Sequence, residues 1–155
     1  FEVKHRTHGR RTVKSRLPLT EFAVLTAETD GFLGANTPYR AADLEAKLWN
    51  DYRRITLVSK TSDERVTVDL DVSFGWQDAM HTLDGVAIIE IKRAASSQHS
   101  DVVPHLRRMG LRPASLSKYC TGVVLLYPQV KSNNFKPQMR RLSKLIGQES
   151  RYVGY

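Results

Sequence analysis

The sequence predicts an α+β fold built on an antiparallel sheet, and three observations carry that expectation. Period-two strands open the chain and return in its middle, amphipathic helical stripes occupy its last third, and regular βαβ alternation is absent. With 155 residues, 41% of them hydrophobic, the chain has the size and core material of one ordinary domain, expected to span residues 1–155. A charged fraction of 26% and only six prolines argue against wholesale disorder.

Residues 1–8 and 11–18 alternate around Gly9-Arg10 and predict a hairpin. Glu2, Lys4, Arg6 and His8 share one face of its first strand, while Thr12, Lys14 and Arg16 share one face of its second. Gly31, Gly34, Asn36 and Pro38 predict a loop from Asp30 to Tyr39. Leu44, Leu48, Tyr52 and Ile55 fall on one helical stripe and predict a helix from Ala41 to Arg54.

The segment Ile55 to Lys60 and a turn at Ser62-Asp63 lead to the clearest strand, Arg65 to Phe74. There Val66, Val68, Leu70, Val72 and Phe74 alternate with Arg65, Thr67, Asp69, Asp71 and Ser73, which predicts one apolar and one polar face. A turn region from Gly75 to Gly85 precedes an apolar strand, Val86 to Arg93, with Glu90 and Lys92 on a common face. Three helices are expected to follow: Ser97 to Met109 with an interruption at Pro104, Ser117 to about Leu126, and Lys136 to Ile146. In the last, Phe135, Met139, Leu142 and Ile146 form a stripe opposite Arg140, Arg141 and Lys144.

The net charge of +8 is unevenly spread. Residues 1–20 hold six basic and one acidic side chain, residues 21–100 eight and thirteen, and residues 101–155 ten and two. Basic ends around an acidic middle suit a polyanion partner, although solvated Lys and Arg also serve solubility alone. The single cysteine, Cys120, cannot form an internal disulfide, which excludes a disulfide-stapled secreted scaffold and points to a reducing compartment. The longest apolar run, Val123 to Tyr127, is far short of the roughly 20 residues of a membrane-spanning helix. No phosphate loop of the GxxxxGK[ST] type is present, and of the five histidines only His5 and His8 approach metal-ligand spacing, at i, i+3, which on a strand points them to opposite faces.

The recurring feature is a strand with charges at i, i+2 spacing: Glu2/Lys4/Arg6, Lys14/Arg16, Arg65/Asp69/Asp71 and Glu90/Lys92. Two arrangements produce it. One is a sheet with its charged face in water. The other is a sheet curled into a barrel, its charged faces inward, where converging bases would suit a chain of phosphates and a few carboxylates could hold a divalent cation.

The ordered set Phe1-Glu2-Val3-Lys4 through Val13-Lys14-Ser15-Arg16, Arg65-Val66-Thr67-Val68-Asp69, Ile89-Glu90-Ile91-Lys92, Ser117-Lys118-Tyr119-Cys120-Thr121-Gly122 and Val130-Lys131-Ser132-Asn133-Asn134-Phe135-Lys136-Pro137 resembles the VTC (vacuolar transporter chaperone) domain, one of the triphosphate tunnel metalloenzymes. The resemblance implies an antiparallel β-barrel tunnel with flanking helices, and a polyphosphate polymerase that moves the γ-phosphate of ATP onto a growing chain with Mn²⁺ or Mg²⁺. Its partners would be ATP and inorganic polyphosphate, with no nucleic acid expected, and its place the cytoplasm, at a membrane only through a partner or a further segment. It makes Lys4, Arg6, Lys14, Arg16, Arg65, Lys92, Lys118 and Lys131 phosphate contacts, with Lys14, Arg65 and Lys118 catalytic. Glu90 is implied as the metal-binding carboxylate and Glu2 as a second candidate, while Asp69 and Asp71 are open between metal binding and pairing with bases. The family barrel has further strands before the position where this sequence starts, so the domain is expected to lack N-terminal strands. A triphosphatase of the same superfamily and a non-catalytic polyphosphate- or nucleic-acid-binding domain are the alternative functions.

Overall fold

The structure is a computed structural model that describes residues 1–6, 12–19, 25–94 and 99–147. It divides into two units, Phe1–Ala46 and Lys47–Tyr155, each considered by itself.

The first unit holds an antiparallel hairpin of β1 (Glu2–Arg6) and β2 (Thr12–Arg16), in which Glu2 faces Arg16 and Lys4 faces Lys14. The predicted turn at Gly9-Arg10, and His8 with it, lies outside the described residues. The loop expected from Asp30 to Tyr39 is instead largely helix α1 (Ala27–Asn36). Thr26 starts it, accepting the Thr29 N–H at 3.4 Å, and Thr29 and Leu33 are buried along it. These caps and contacts outweigh Gly31 and Gly34, the residues that suggested a loop. The Phe1 and Phe32 rings meet edge to face with centroids 6.0 Å apart. A 3₁₀ turn at Ala41–Asp43 follows, tied to α1 where Asp30 accepts the Ala41 N–H at 2.7 Å and pairs with Arg40.

The second unit corrects the helix expected from Ala41 to Arg54. Beyond the 3₁₀ turn the chain extends, and Trp49–Val58 forms strand β3. The stripe of Leu44, Leu48, Tyr52 and Ile55 is a coincidence of spacing across two different conformations. The run Trp49 to Val58 is rich in aromatic and β-branched side chains, and pairing with β4 (Glu64–Trp76) satisfies its backbone. The expected turn region between Gly75 and Gly85 contains a further strand, β5 (Ala79–Thr82), entered through Gln77 at φ 50°. β6 (Ile88–Arg93) completes the sheet. β4 pairs with β3 along one edge and with β5 and β6 on the other, all antiparallel.

The described strands therefore form a two-stranded and a four-stranded sheet, and do not by themselves close the barrel that the family resemblance implies. Among the described residues β4 alone has partners on both edges, whereas closure needs two for every strand.

A bulge corrects the faces of β4. Asn50 and Asp51 of β3 face Phe74 and Ser73, but Arg53 and Arg54 face Leu70 and Asp69, so Tyr52 spans both Asp71 and Val72. Asp71 takes up the extra residue at φ 52°, a conformation Asp tolerates better than most side chains. Because paired residues share a face, Val72 and Phe74 lie on the side of Arg65, Thr67 and Asp69 rather than opposite them. One half of this face is core and the other half is polar. In the core half, fully buried Val72 and Phe74 meet Leu83, Val86, Val124, Leu125, Met139 and Leu142, with Tyr52 and Ile88 at the margin.

The helices are α2 (Val103–Arg108), α3 (Lys118–Leu126) and α4 (Lys136–Ile146). The last two match expectation. α2 is shorter than the expected Ser97–Met109, because Pro104 sits in its first turn and starts the helix instead of interrupting it; residues 95–98 of that span lie outside the described residues. No helix among the described residues is long and apolar enough to cross a membrane.

A candidate phosphate site around Asp69

The polar half of the sheet face is assembled from three strands. β4 contributes Arg65, Thr67 and Asp69, with Thr56 and Arg54 of β3 opposite Thr67 and Asp69 on one side, and Lys92, Glu90 and Ile88 of β6 opposite the three on the other. The sheet thus brings together the predicted Arg65, Glu90 and Lys92, and α3 adds Lys118.

Asp69 is the anchor, a carboxylate 1% exposed. The Arg54 guanidinium grips it in two places, Nε to Oδ1 at 2.5 Å and Nη2 to Oδ2 at 2.7 Å, and Lys118 Nζ donates to the same Oδ2. Both cations also lie over the Tyr52 ring, Arg54 at 4.8 Å and Lys118 at 4.7 Å from its centroid. The Arg54 hydrogen bonds, helped by Lys118, hold the Asp69 carboxyl well below its ordinary range against the opposing effect of burial. Asp69 in turn raises the affinity of Arg54 for its proton against the opposing effect of burial, with a smaller contribution from the field of Glu90.

Two local features place Lys118. The Ser117 hydroxyl caps α3 by accepting the Cys120 N–H at 3.3 Å, so Lys118 opens the helix. A cation there opposes the helix dipole, and the ion pair with Asp69 offsets that cost. Gly122, one turn on, lets α3 approach β4, since a Cβ at this position would stand 2.7 Å from the Phe74 ring. The Gln138 side chain, donating to Thr121 Oγ1 at 2.9 Å, ties α4 to α3 behind it.

Four cations, Arg54, Arg65, Lys92 and Lys118, thus share this face with two carboxylates, Asp69 and Glu90. Glu90 is half exposed and pairs with Lys92 at 3.1 Å through Oε1. Asp71 belongs to the bulge, where it pairs with Arg53. Lys131 is an exposed residue of the segment after α3, and among the described residues no ion pair joins it to Asp69 or Glu90. Among the described residues no group of three His, Cys, Asp or Glu side chains could together hold a metal ion.

The hairpin of the first unit carries its own cluster. Glu2 accepts from Arg16 Nε at 2.7 Å and pairs with Lys4 at 3.3 Å and Lys14 at 3.9 Å. The Arg16 hydrogen bond, with Lys4 and Lys14 behind it, holds the Glu2 carboxyl below its usual range. Three bases occupy this carboxylate, which makes it their counter-ion. Arg6 ends β1, and its side chain lies outside the described residues.

Sequence reasoning missed Arg54 and Tyr52, because both fell inside the expected helix. The β-branched and aliphatic run Ile55-Thr56-Leu57-Val58 directly after them was the available signal for a strand.

A family model described as the VTC domain matches residues 1–127 of the chain. No curated protein and no solved structure matches it.

Proposed function

The chain belongs to the VTC domain family, and from that premise we propose that it transfers the γ-phosphate of ATP to the end of a growing polyphosphate chain. The observation that carries this reading is the buried Asp69 holding Arg54 and Lys118 together on a face that also bears Arg65 and Lys92. In this account the face forms part of the wall of a basic tunnel. The hairpin bases Lys4, Arg6, Lys14 and Arg16, and Lys131, are proposed as further phosphate contacts.

The chemistry asks little of the protein beyond position and charge. A terminal phosphate oxygen of the acceptor chain attacks the γ-phosphorus, a new P–O bond forms, the β–γ bridging bond breaks, and ADP leaves with the electron pair. The attacking oxygen is already ionised, so neither a general base nor a covalent nucleophile is needed. Arg54 has five N–H donors and gives two to Asp69, which leaves three; Lys118 has three and keeps two. Asp69 therefore fixes both groups without exhausting them, and the remaining donors can meet phosphate oxygens as charge develops.

The residues fit a hard divalent cation such as Mn²⁺ or Mg²⁺ in one way. Asp69 is spent on Arg54 and Lys118, whereas Glu90 is half exposed and engages only Lys92 among the described residues. One carboxylate completed by substrate phosphates and water is a usual arrangement for such ions. Glu90 would hold the cation, which when bound would neutralise charge on the triphosphate oxygens.

The experiment is incubation of the purified chain with ATP and Mn²⁺. ADP with long-chain polyphosphate is expected. ADP with orthophosphate alone moves the activity to a triphosphatase, in which water takes the place of the acceptor, and failure to form either polymer or orthophosphate overturns the catalytic reading.

A further inference from the structure

Helix α4 lies beyond the residues matched by the family model and places no charged side chain in the site around Asp69, which it supports only through Gln138 behind α3. Its inward side is committed: Met139, Leu142 and Ser143 are buried, with Phe135 and Ile146 packed at the edge of the core. Its outward side carries Arg140, Arg141 and Lys144, all exposed, and no acidic residue occurs anywhere in the helix. Among the described residues no ion pair takes up these three charges. A helix that needed charge only for solubility would normally interleave acids and gain support from i, i+4 pairs, which α4 forgoes.

We propose that this outward face of α4 is a second, external binding surface for a linear polyanion, namely the polyphosphate product. Arg140 and Lys144 stand one helical turn apart, about 6 Å along the axis, with Arg141 beside them. Such a row matches a flexible chain that bears a charge on every phosphate. Nucleic acid is disfavoured because no exposed aromatic residue on this helix offers a stacking platform. A bilayer is disfavoured because the apolar side of α4 is already packed, leaving Leu145 as the one exposed large apolar residue of the helix. The surface itself is independent of the polymerase reading, whereas the identity of its ligand rests on it.

The test measures binding of long-chain polyphosphate, tripolyphosphate, single-stranded RNA and phosphatidylglycerol vesicles, each over a range of salt, to the chain and to the triple variant Arg140→Gln, Arg141→Gln, Lys144→Gln. Gln keeps helix propensity at exposed positions, and a charge-conserving variant, Arg140→Lys with Arg141→Lys, should retain binding. The triple variant is expected to lose roughly tenfold in long-chain affinity, and its log–log salt slope should shrink by about 2–3, one unit or slightly less for each lost contact. Its tripolyphosphate affinity should not change. Unchanged long-chain affinity and slope would overturn the proposal, as would a parallel loss of tripolyphosphate binding, which would merge this face with the first site. Loss confined to single-stranded RNA or to phosphatidylglycerol vesicles would overturn it in favour of that partner. If the chain fails to bind tripolyphosphate yet loses long-chain binding with the triple variant, the α4 surface stands and the polymerase reading falls.

Discussion

Lys118 at the start of α3 and Asp69 in the middle of β4 form an ion pair where the core half of the sheet face gives way to the polar half. The pair links packing to chemistry: the same helix that buries Val124 and Leu125 presents a cation to a carboxylate that also holds Arg54.

Asp69→Ala should therefore cost stability as well as function. It leaves two cations without their counter-ion, and the expected loss is about 2–3 kcal/mol by urea denaturation. That falls at or just below the bottom of the range of about 3–5 kcal/mol for a broken buried pair, because Arg54, 37% exposed, can turn toward water.

Acid should reveal the same group. The native Asp69 carboxyl titrates below its ordinary range of about 4, so its stabilisation is complete above that value and is lost as pH falls through the lowered native value. Thermal unfolding should be nearly flat between about pH 7 and pH 5 as far as this group is concerned, and should fall below about pH 4. Asp69→Asn should reduce that acid loss without abolishing it, since Glu2 and Asp30 are also held low.

Glu90→Gln separates chemistry from folding. The side chain is half exposed, so stability should change by no more than about 0.5 kcal/mol. Divalent-dependent turnover of ATP should fall by about a hundredfold or more, since losing a ligand costs at least as much as losing its outer-shell support. Full activity in this variant would remove Glu90 from the metal site.

Gly122→Ala tests the approach of α3. The added Cβ would meet the Phe74 ring at 2.7 Å and Leu48 at 3.3 Å, and overpacking of this kind costs about 1–3 kcal/mol. Displacing α3 should also draw Lys118 away from Asp69, so titration with tripolyphosphate should show weaker binding in the folded variant.

Arg65→Ala and Lys14→Ala address single phosphate contacts. Each is expected to weaken ATP binding by about 1.5–3 kcal/mol, the scale of a hydrogen bond to a charged group, as read by calorimetric titration.

Much of this architecture was legible in the sequence where one signal acted alone. The alternation from Arg65 to Asp69, the Glu90/Lys92 face and the spans of α3 and α4 all follow from local periodicity. The alternation misled beyond Asp71, since a single bulged residue exchanges the faces and periodicity cannot register it. Arg54 was hidden because Leu44, Leu48, Tyr52 and Ile55 imitate a helical stripe, which competes with the strand signal of Ile55 to Val58 until pairing with β4 decides for a strand. In α1 Gly31 and Gly34 pointed to a loop, whereas the Thr26 cap and the burial of Thr29 and Leu33 decide for a helix in the fold. The partnership of Asp69 with Lys118 spans 49 residues, a tertiary relationship without a local signature.

The most direct measurement of the central claim, that the bases gathered by Asp69 grip a phosphate chain, is titration of tripolyphosphate into the chain and into Lys118→Ala at one fixed salt concentration. The account expects the variant to remain folded and to bind at least tenfold more weakly, in keeping with about 1.5 kcal/mol or more for a charged hydrogen bond. Equal affinity in the two proteins would contradict it.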